Sequence, residues 1–170
     1  MNEIIRAREA LTTLTPLKMN CGKLCGGACC QPDPEEDGEN GMLLFPFEEE
    51  LYREPIEGFP FHLSDDDTLF PGGKRLVCEG KCVREHRPLA CRIFPLRMRV
   101  EMADGKPAVT PEPDPRAWYI CPILEQGGMR AMSGEFIAAV KAAGEALVQD
   151  ETTLQALLNE QRMIDETRHL

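Results

Sequence analysis

The chain has 170 residues, enough for one domain and short for two. An apolar content of 42% with a single tryptophan, Trp118, allows only a small ordinary core, which cross-links would help to hold. A formal charge of −10, from 29 acidic and 19 basic residues, argues against a nucleic-acid backbone as partner.

Residues 2–14 place apolar side chains at 4, 5, 7, 10, 11 and 14, a loose helical pattern broken at Thr15-Pro16. Residues 1–15 carry Glu3, Arg6, Arg8 and Glu9 and lack the apolar centre of a secretory signal. Next comes MNCGKLCGGACCQPD at 19–33, in which Gly22, Gly26 and Gly27 suit a tightly turning loop. An acidic loop, Glu35, Glu36, Asp37 and Gly38, follows. Residues 42–47 read as a short strand, or else Pro46 opens a helix whose first turn holds Glu48, Glu49 and Glu50. The same run is the longest apolar stretch and is far too short to span a membrane.

Phe59, Phe61 and Leu63 alternate as in a strand, and Asp65, Asp66 and Asp67 read as an acidic turn without the spacing of a calcium loop. After the turn at Pro71-Gly72-Gly73, a strand over 75–78 is expected to deliver Cys78. Residues 91–102 give the clearest strand pattern. Leu96, Met98, Val100 and Met102 face one way, and Arg97, Arg99 and Glu101 the other. Residues 103–106 make a hairpin turn and 108–110 the return strand, followed by a stiff connector with Pro111, Pro113 and Pro115. Ser133 caps a helix running to about 149 with Phe136, Ile137, Val140, Gly144, Leu147 and Val148 on one face. Asp150 caps a second helix, with Leu154, Leu157, Leu158, Gln161 and Ile164 on one side.

Eight cysteines in a chain read as cytoplasmic, where disulfides are normally reduced, call for another use, and a metal is the first reading. Cys21, Cys25, Cys29, Cys30, Cys78, Cys82, Cys91 and Cys121 are all taken as ligands. Four thiolates per tetrahedral zinc, or one per iron of a cubane, divide them into two sites. The neighbours Cys29 and Cys30 point apart and so feed different sites or different irons, which means two sites, or one site and a spare thiol. Were one site to use only three thiolates, His86, Asp33, His62 or water would be the fourth ligand. Zinc is the first choice and iron or an iron–sulfur cluster the alternative, since thiolate softness admits both. Disulfides and unligated thiols are the competing readings. Arg84, Arg87, Arg92, Arg97 and Arg99 are read first as compensating thiolate charge, then as surface ion pairs, then as an anion-binding patch.

CEGKCVREHRPLACRIFP at 78–95, together with CGKLCGGACC at 21–30, resembles the YkgJ-like CxxCxxCC family of zinc- or iron-chelating proteins. Cys29-Cys30, Cys82, Arg87-Pro88, Cys91-Arg92 and Phe94-Pro95 carry the resemblance, which spans about residues 18–125. The spacing of Cys21, Cys25 and Cys29 departs from the family's short name. Some larger relatives resemble flagellin lysine methylases, but no glycine-rich nucleotide loop follows a strand here.

The expected fold is α+β: a small cysteine-rich, metal-nucleated domain with a short β-hairpin and a C-terminal helical hairpin. Residues 1–125 form the metal-binding region and 126–170 the helical hairpin packed on it. The expected function is to hold zinc or iron through thiolates, with an iron–sulfur redox or metal-handling protein and a protein-modifying enzyme as alternatives. No catalytic residue is assigned. The C-terminal helices are the expected surface for a protein partner or a homodimer, with neither nucleic acid nor membrane as partner.

Overall fold

The computed structural model describes residues 2–30, 41–79 and 83–167. The expected acidic loop, Asp33 and Cys82 therefore lie outside the described residues.

Helix α1, Asn2–Glu9, is shorter than the apolar pattern suggested. Its end tightens, with the Leu11 N–H turning back to the Arg8 carbonyl (3.1 Å) and Thr12 to Glu9 (3.2 Å). Ile4, Ala7 and Leu11 still share one fully buried face. The segment at 19–30 is not a plain loop. It holds one short helix, α2 (Gly22–Cys25), and a 3₁₀ turn at Ala28–Cys30.

Strand β1 (Gly41–Leu43) is followed by a 3₁₀ turn over Glu48–Tyr52, so the two readings of this stretch occur in succession. β2 (Phe61–Asp65) and β3 (Lys74–Cys78) complete a three-stranded antiparallel sheet in the order β1-β3-β2, with Leu76 opposite both Met42 and Leu63. Leu44, Tyr52, Phe59 and Leu76 form a small core on it. The triple Asp closes the β2–β3 connection: Asp66 accepts from the Thr68 N–H (3.0 Å) and from Arg75 (2.9 Å), and Asp67 from the Gly72 N–H (2.7 Å).

The strand expected from residue 91 begins later. Cys91 lies in helix α3, Leu89–Ile93, and β4 runs Leu96–Ala103. β4 turns through Asp104-Gly105, both at positive φ, into β5, Lys106–Pro113. β5 thus absorbs two of the prolines read as connector. Pro107, Pro111 and Pro113 share one parity along the strand, so their missing N–H groups fall together on the edge away from β4. Arg97 was placed on the face opposite Leu96 and Met98, and that face is buried too at this position, because helix α6 (Glu151–Thr167) covers that side of the hairpin, and Arg97 bonds Glu112 (2.6 Å) and Asp165 (2.9 Å).

Helix α4 spans Pro122–Gly127 and α5 spans Gly134–Leu147. α5 packs against α1 and both hairpin strands, and α6 against β4. The close approach uses Gly144, where a Cβ would sit 2.5 Å from Val109 Cγ1 and 3.1 Å from Met98 Sδ. Ser133 precedes α5 but makes no side-chain cap, its N–H donating to Pro16 O (2.7 Å). Asp150 does cap α6 through the Thr153 N–H (3.0 Å).

The mixed α+β character stands, with short antiparallel strands and C-terminal helices. The metal-nucleated core does not. The main core is apolar, drawn from α1, α3, the β4–β5 hairpin, α5 and α6, and none of the described cysteines is among its fully buried members. Among the described residues no three His, Cys, Asp or Glu side chains are placed to hold a metal ion. No described helix is long and apolar enough to cross a membrane.

Candidate functional site

Four of the described cysteines nevertheless fall on one short stretch of backbone, residues 21–30. Asn20 starts the turn, its Oδ1 accepting from the Gly22 N–H (3.1 Å) and its carbonyl from the Lys23 N–H (3.1 Å). Gly26 and Gly27 follow at φ 62° and 73°, a conformation other residues resist, and reverse the chain. The Gly27 N–H returns to Gly22 O (3.0 Å) and the Cys30 N–H to Gly27 O (2.7 Å). Four cysteines thus occupy ten residues of closely wound backbone. Cys121 joins them from the start of α4, its N–H held by Ala117 O (2.8 Å).

Burial pushes the Cys21 thiol up, and the neighbouring Cys29, Cys25 and Cys121 push it further, against a smaller opposing pull from Arg84. Burial likewise raises Cys121, with Cys29 and Cys25 adding to the effect and the N–H groups of Ile123 and Leu124 opposing it. These four thiols therefore sit in one another's field. Cys30 is attached through Cys29, the two exposed sulfurs being 4.0 Å apart. All seven described cysteines are in the thiol form.

The expected convergence of eight ligands is thus corrected. Cys21, Cys25, Cys29 and Cys30 lie within ten residues, but no group of three described side chains closes on a common point. The local helix explains part of this. Cys25 Sγ turns back toward the Cys21 carbonyl (3.8 Å), as a side chain one helical turn on readily does. Cys78 ends β3 opposite Phe61, beside the smaller core, and Cys91 is half-buried in α3. Zinc, iron and iron–sulfur ligation are all set aside on this geometry of the described side chains. The two described histidines proposed as a fourth ligand are otherwise engaged. His62 Nδ1 lies 2.5 Å from Glu79 Oε1, and His86 stacks on Phe59 with centroids 6.0 Å apart.

The arginines also depart from the expectation of charge compensation. Arg92 is buried and holds three backbone carbonyls, of Glu85 (2.6 Å), Arg87 (3.0 Å) and Arg8 (3.2 Å). Arg99 meets Glu101 (3.2 Å). Arg84 bonds the Leu14 carbonyl and does act on a thiol, that of Cys21.

Sequence reasoning missed a buried polar network. Glu48, wholly buried, accepts from Arg8 (2.7 Å), the Leu89 N–H (2.7 Å) and the Phe45 N–H (3.3 Å). Arg8 also reaches Tyr52 Oη (2.8 Å), which donates to His86 O (2.8 Å). Together with Arg92 this pins residues 83–93 to α1. Nothing local distinguishes Glu48 from its neighbours Glu49 and Glu50, so the signal was absent from the sequence.

No family model, curated protein or solved structure matches the chain. The resemblance to the YkgJ-like family is therefore withdrawn: no comparison supports it, and the described cysteines do not form the chelating cluster it implies.

Proposed function

We propose that the protein is a thiol–disulfide exchange protein in which Cys29 opens the reaction and Cys21 completes it. What supports the reading is four cysteines within ten residues of tightly turned backbone, with Cys29 and Cys30 exposed and their sulfurs 4.0 Å apart. Cys29 as thiolate attacks one sulfur of a disulfide RSSR. The S–S bond breaks, RS⁻ leaves and takes a proton, and a mixed disulfide forms. Cys21 as thiolate then attacks Cys29 Sγ and expels the second RS⁻. In sum, two protein thiols become one disulfide and RSSR becomes two RSH.

The direction follows from the environment of Cys21. A reduced dithiol becomes a strong oxidant's product when its thiolate is stabilised; burial and thiol neighbours do the reverse here. A thiolate disfavoured in this way makes the dithiol an electron donor.

The test is oxidation of the reduced full chain with hydroxyethyl disulfide without oxygen, followed by peptide mapping. The expected product is a Cys21–Cys29 bridge with two small thiols released per bridge. Cys21→Ser is expected to stop at the mixed disulfide on Cys29. Separate adducts on every cysteine of the parent chain, with no internal bridge, would refute the proposal.

A further inference from the structure

We infer that the open edge of β2 and the groove beside it take up an extended segment of another protein, one that alternates apolar and basic residues, as an added strand. It stands apart from the exchange reading, which involves none of these residues.

Backbone parity exposes the edge. The Glu79 N–H donates to Pro60 O (3.0 Å) and the Asp66 N–H to Gly73 O (3.0 Å), so the even positions along β2 bond across to β3. Phe61, Leu63 and Asp65 therefore turn their N–H and C=O groups away from β3. Among the described residues nothing donates to or accepts from those groups. β2 is the outermost strand of its sheet. The other edges differ. β1 is three residues long with α3 packed against it, and β5 is blunted by its prolines. β2 itself contains no proline or lysine. An edge with its donors and acceptors intact is a template for a further strand.

The groove lies along that edge. Its volume is about 410 Å³, and it is walled by residues 52–56 and 59–60 on one side and by Phe61, His62 and Leu63 of β2 on the other, with nothing from β3. The wall is set by ring packing, Tyr52 meeting Phe61 edge-on at 5.5 Å and Phe59 meeting it at 5.3 Å. Side chains of an added strand alternate between two faces. Those on the face of Phe61 and Leu63 meet Ile56 and the aromatic rings, and apolar residues fit there.

Charge selects the alternate residues. Residues 49–67 hold seven acids against Arg53 and His62. The cations that reach this surface are already matched. Arg53 bonds Glu50, Lys74 bonds Asp65, Arg75 bonds Asp66 (2.9 Å), and His62 lies against Glu79 (2.5 Å). Glu54 in the groove wall and Glu57 in the adjoining turn remain, and among the described residues no cation pairs with either. The surplus is negative after every pair is counted, so basic side chains are drawn to it. A second copy of β2 would bring the same surplus against itself.

The experiment measures binding of fluorescein-labelled peptides of about six residues, the length of an ordinary strand, to the full chain by anisotropy at low ionic strength. The probes alternate Val and Lys, alternate Val and Glu, or hold Val and Lys in two blocks. The alternating Val/Lys peptide is expected to bind about tenfold more tightly than either of the others. Two methylated forms of it, one on the Val nitrogens and one on the Lys nitrogens, test the mode. A single parity of N–H groups faces β2, so one form is expected to lose about tenfold and the other to keep its affinity. Leu63→Pro removes an outward N–H that β3 does not use and is expected to weaken binding about fivefold, on the scale of one hydrogen bond. Should that variant fail to fold by circular dichroism, Glu54→Lys, at the exposed wall, is expected to weaken the Val/Lys peptide about fivefold. No binding by any peptide, equal binding of alternating and blocked peptides, or equal effects of the two methylations would overturn strand addition. Tighter binding of Val/Glu than of Val/Lys would overturn the choice of a basic partner. A stable dimer in sedimentation that Leu63→Pro dissolves would overturn it in favour of a second copy of the chain.

Discussion

Replacing Glu48 by Gln changes few atoms and removes one buried charge. Its Oε1 accepts from both Arg8 and the Leu89 N–H, and Oε2 from the Phe45 N–H. A glutamine can keep its oxygen at the first position, but its NH₂ then faces the Phe45 N–H, donor against donor. The Arg8 guanidinium, whose side chain is only 13% exposed, loses its counter-charge. Breaking a buried pair in this way costs about 3–5 kcal/mol. Against a typical total stability of about 5–15 kcal/mol this is a large fraction. At roughly 2–4 °C per kcal/mol for a chain of this size, Tm falls by about 10 °C. The assay is urea unfolding followed by circular dichroism at 222 nm, with m-values compared. A companion variant, Arg8→Leu, separates charge from packing. Burial already holds the Glu48 carboxyl above its ordinary range, opposed by Arg8 and the N–H donors. Without Arg8 it rises further. A carboxyl raised in the folded state contributes stability below its unfolded pKa, and that contribution is lost as pH rises through the folded value. The deficit of Arg8→Leu is therefore expected to be smaller near pH 5 than at pH 8. If Glu48→Gln unfolds within 0.5 kcal/mol of the parent, the network contributes only shape, and this reasoning is wrong.

Three further outcomes are expected. Gly144→Ala, stabilising by about 1 kcal/mol in an open helix, should destabilise here by about 1–2 kcal/mol because the new methyl meets Val109 at 2.5 Å, and Val109→Ala in the same chain should recover part of the loss in a double-mutant cycle by urea unfolding. Asp150→Ala should cost about 1 kcal/mol of stability through the lost bond from the Thr153 N–H, read by the same unfolding curves, and no change would mean that this cap contributes nothing to α6. Cys21 and Cys121 have raised thiol pKa values, so their contribution to stability is complete below the unfolded thiol value and lost as pH rises through the folded one. Reduced protein should therefore lose stability from about pH 8.5 upward, and iodoacetamide at pH 7.5 should modify exposed Cys29 before Cys21, as read by mass mapping.

The hairpin was legible because alternation at 96–102 and the Asp104-Gly105 turn are local signals. The two C-terminal helices were legible for the same reason, their apolar period being carried within one element. Helix α3 was not. Cys91 and its neighbours lack a helix pattern of their own, and their conformation depends on the Leu89 N–H reaching Glu48 and on Arg92 gathering distant carbonyls. Arg97 was legible as lying on the hairpin's second face, but not as an ion-pair partner there, because α6, some fifty residues on, covers that face and supplies Asp165.

The order of cysteines and glycines by itself determined that thiols would crowd residues 21–30, since positive-φ glycines reverse the backbone within a few residues. It also determined the hairpin and the helices, whose side-chain periods are short-range. Only the tertiary structure decided that the described sulfurs do not close on an ion, and that Trp118, Tyr119 and Ile120 before Cys121 stay exposed. Those outcomes depend on where Ala117 and Asp114 anchor the Cys121 turn and on how α1 seizes residues 83–93. Contacts between residues far apart in the chain leave no period or spacing in the sequence from which to read them.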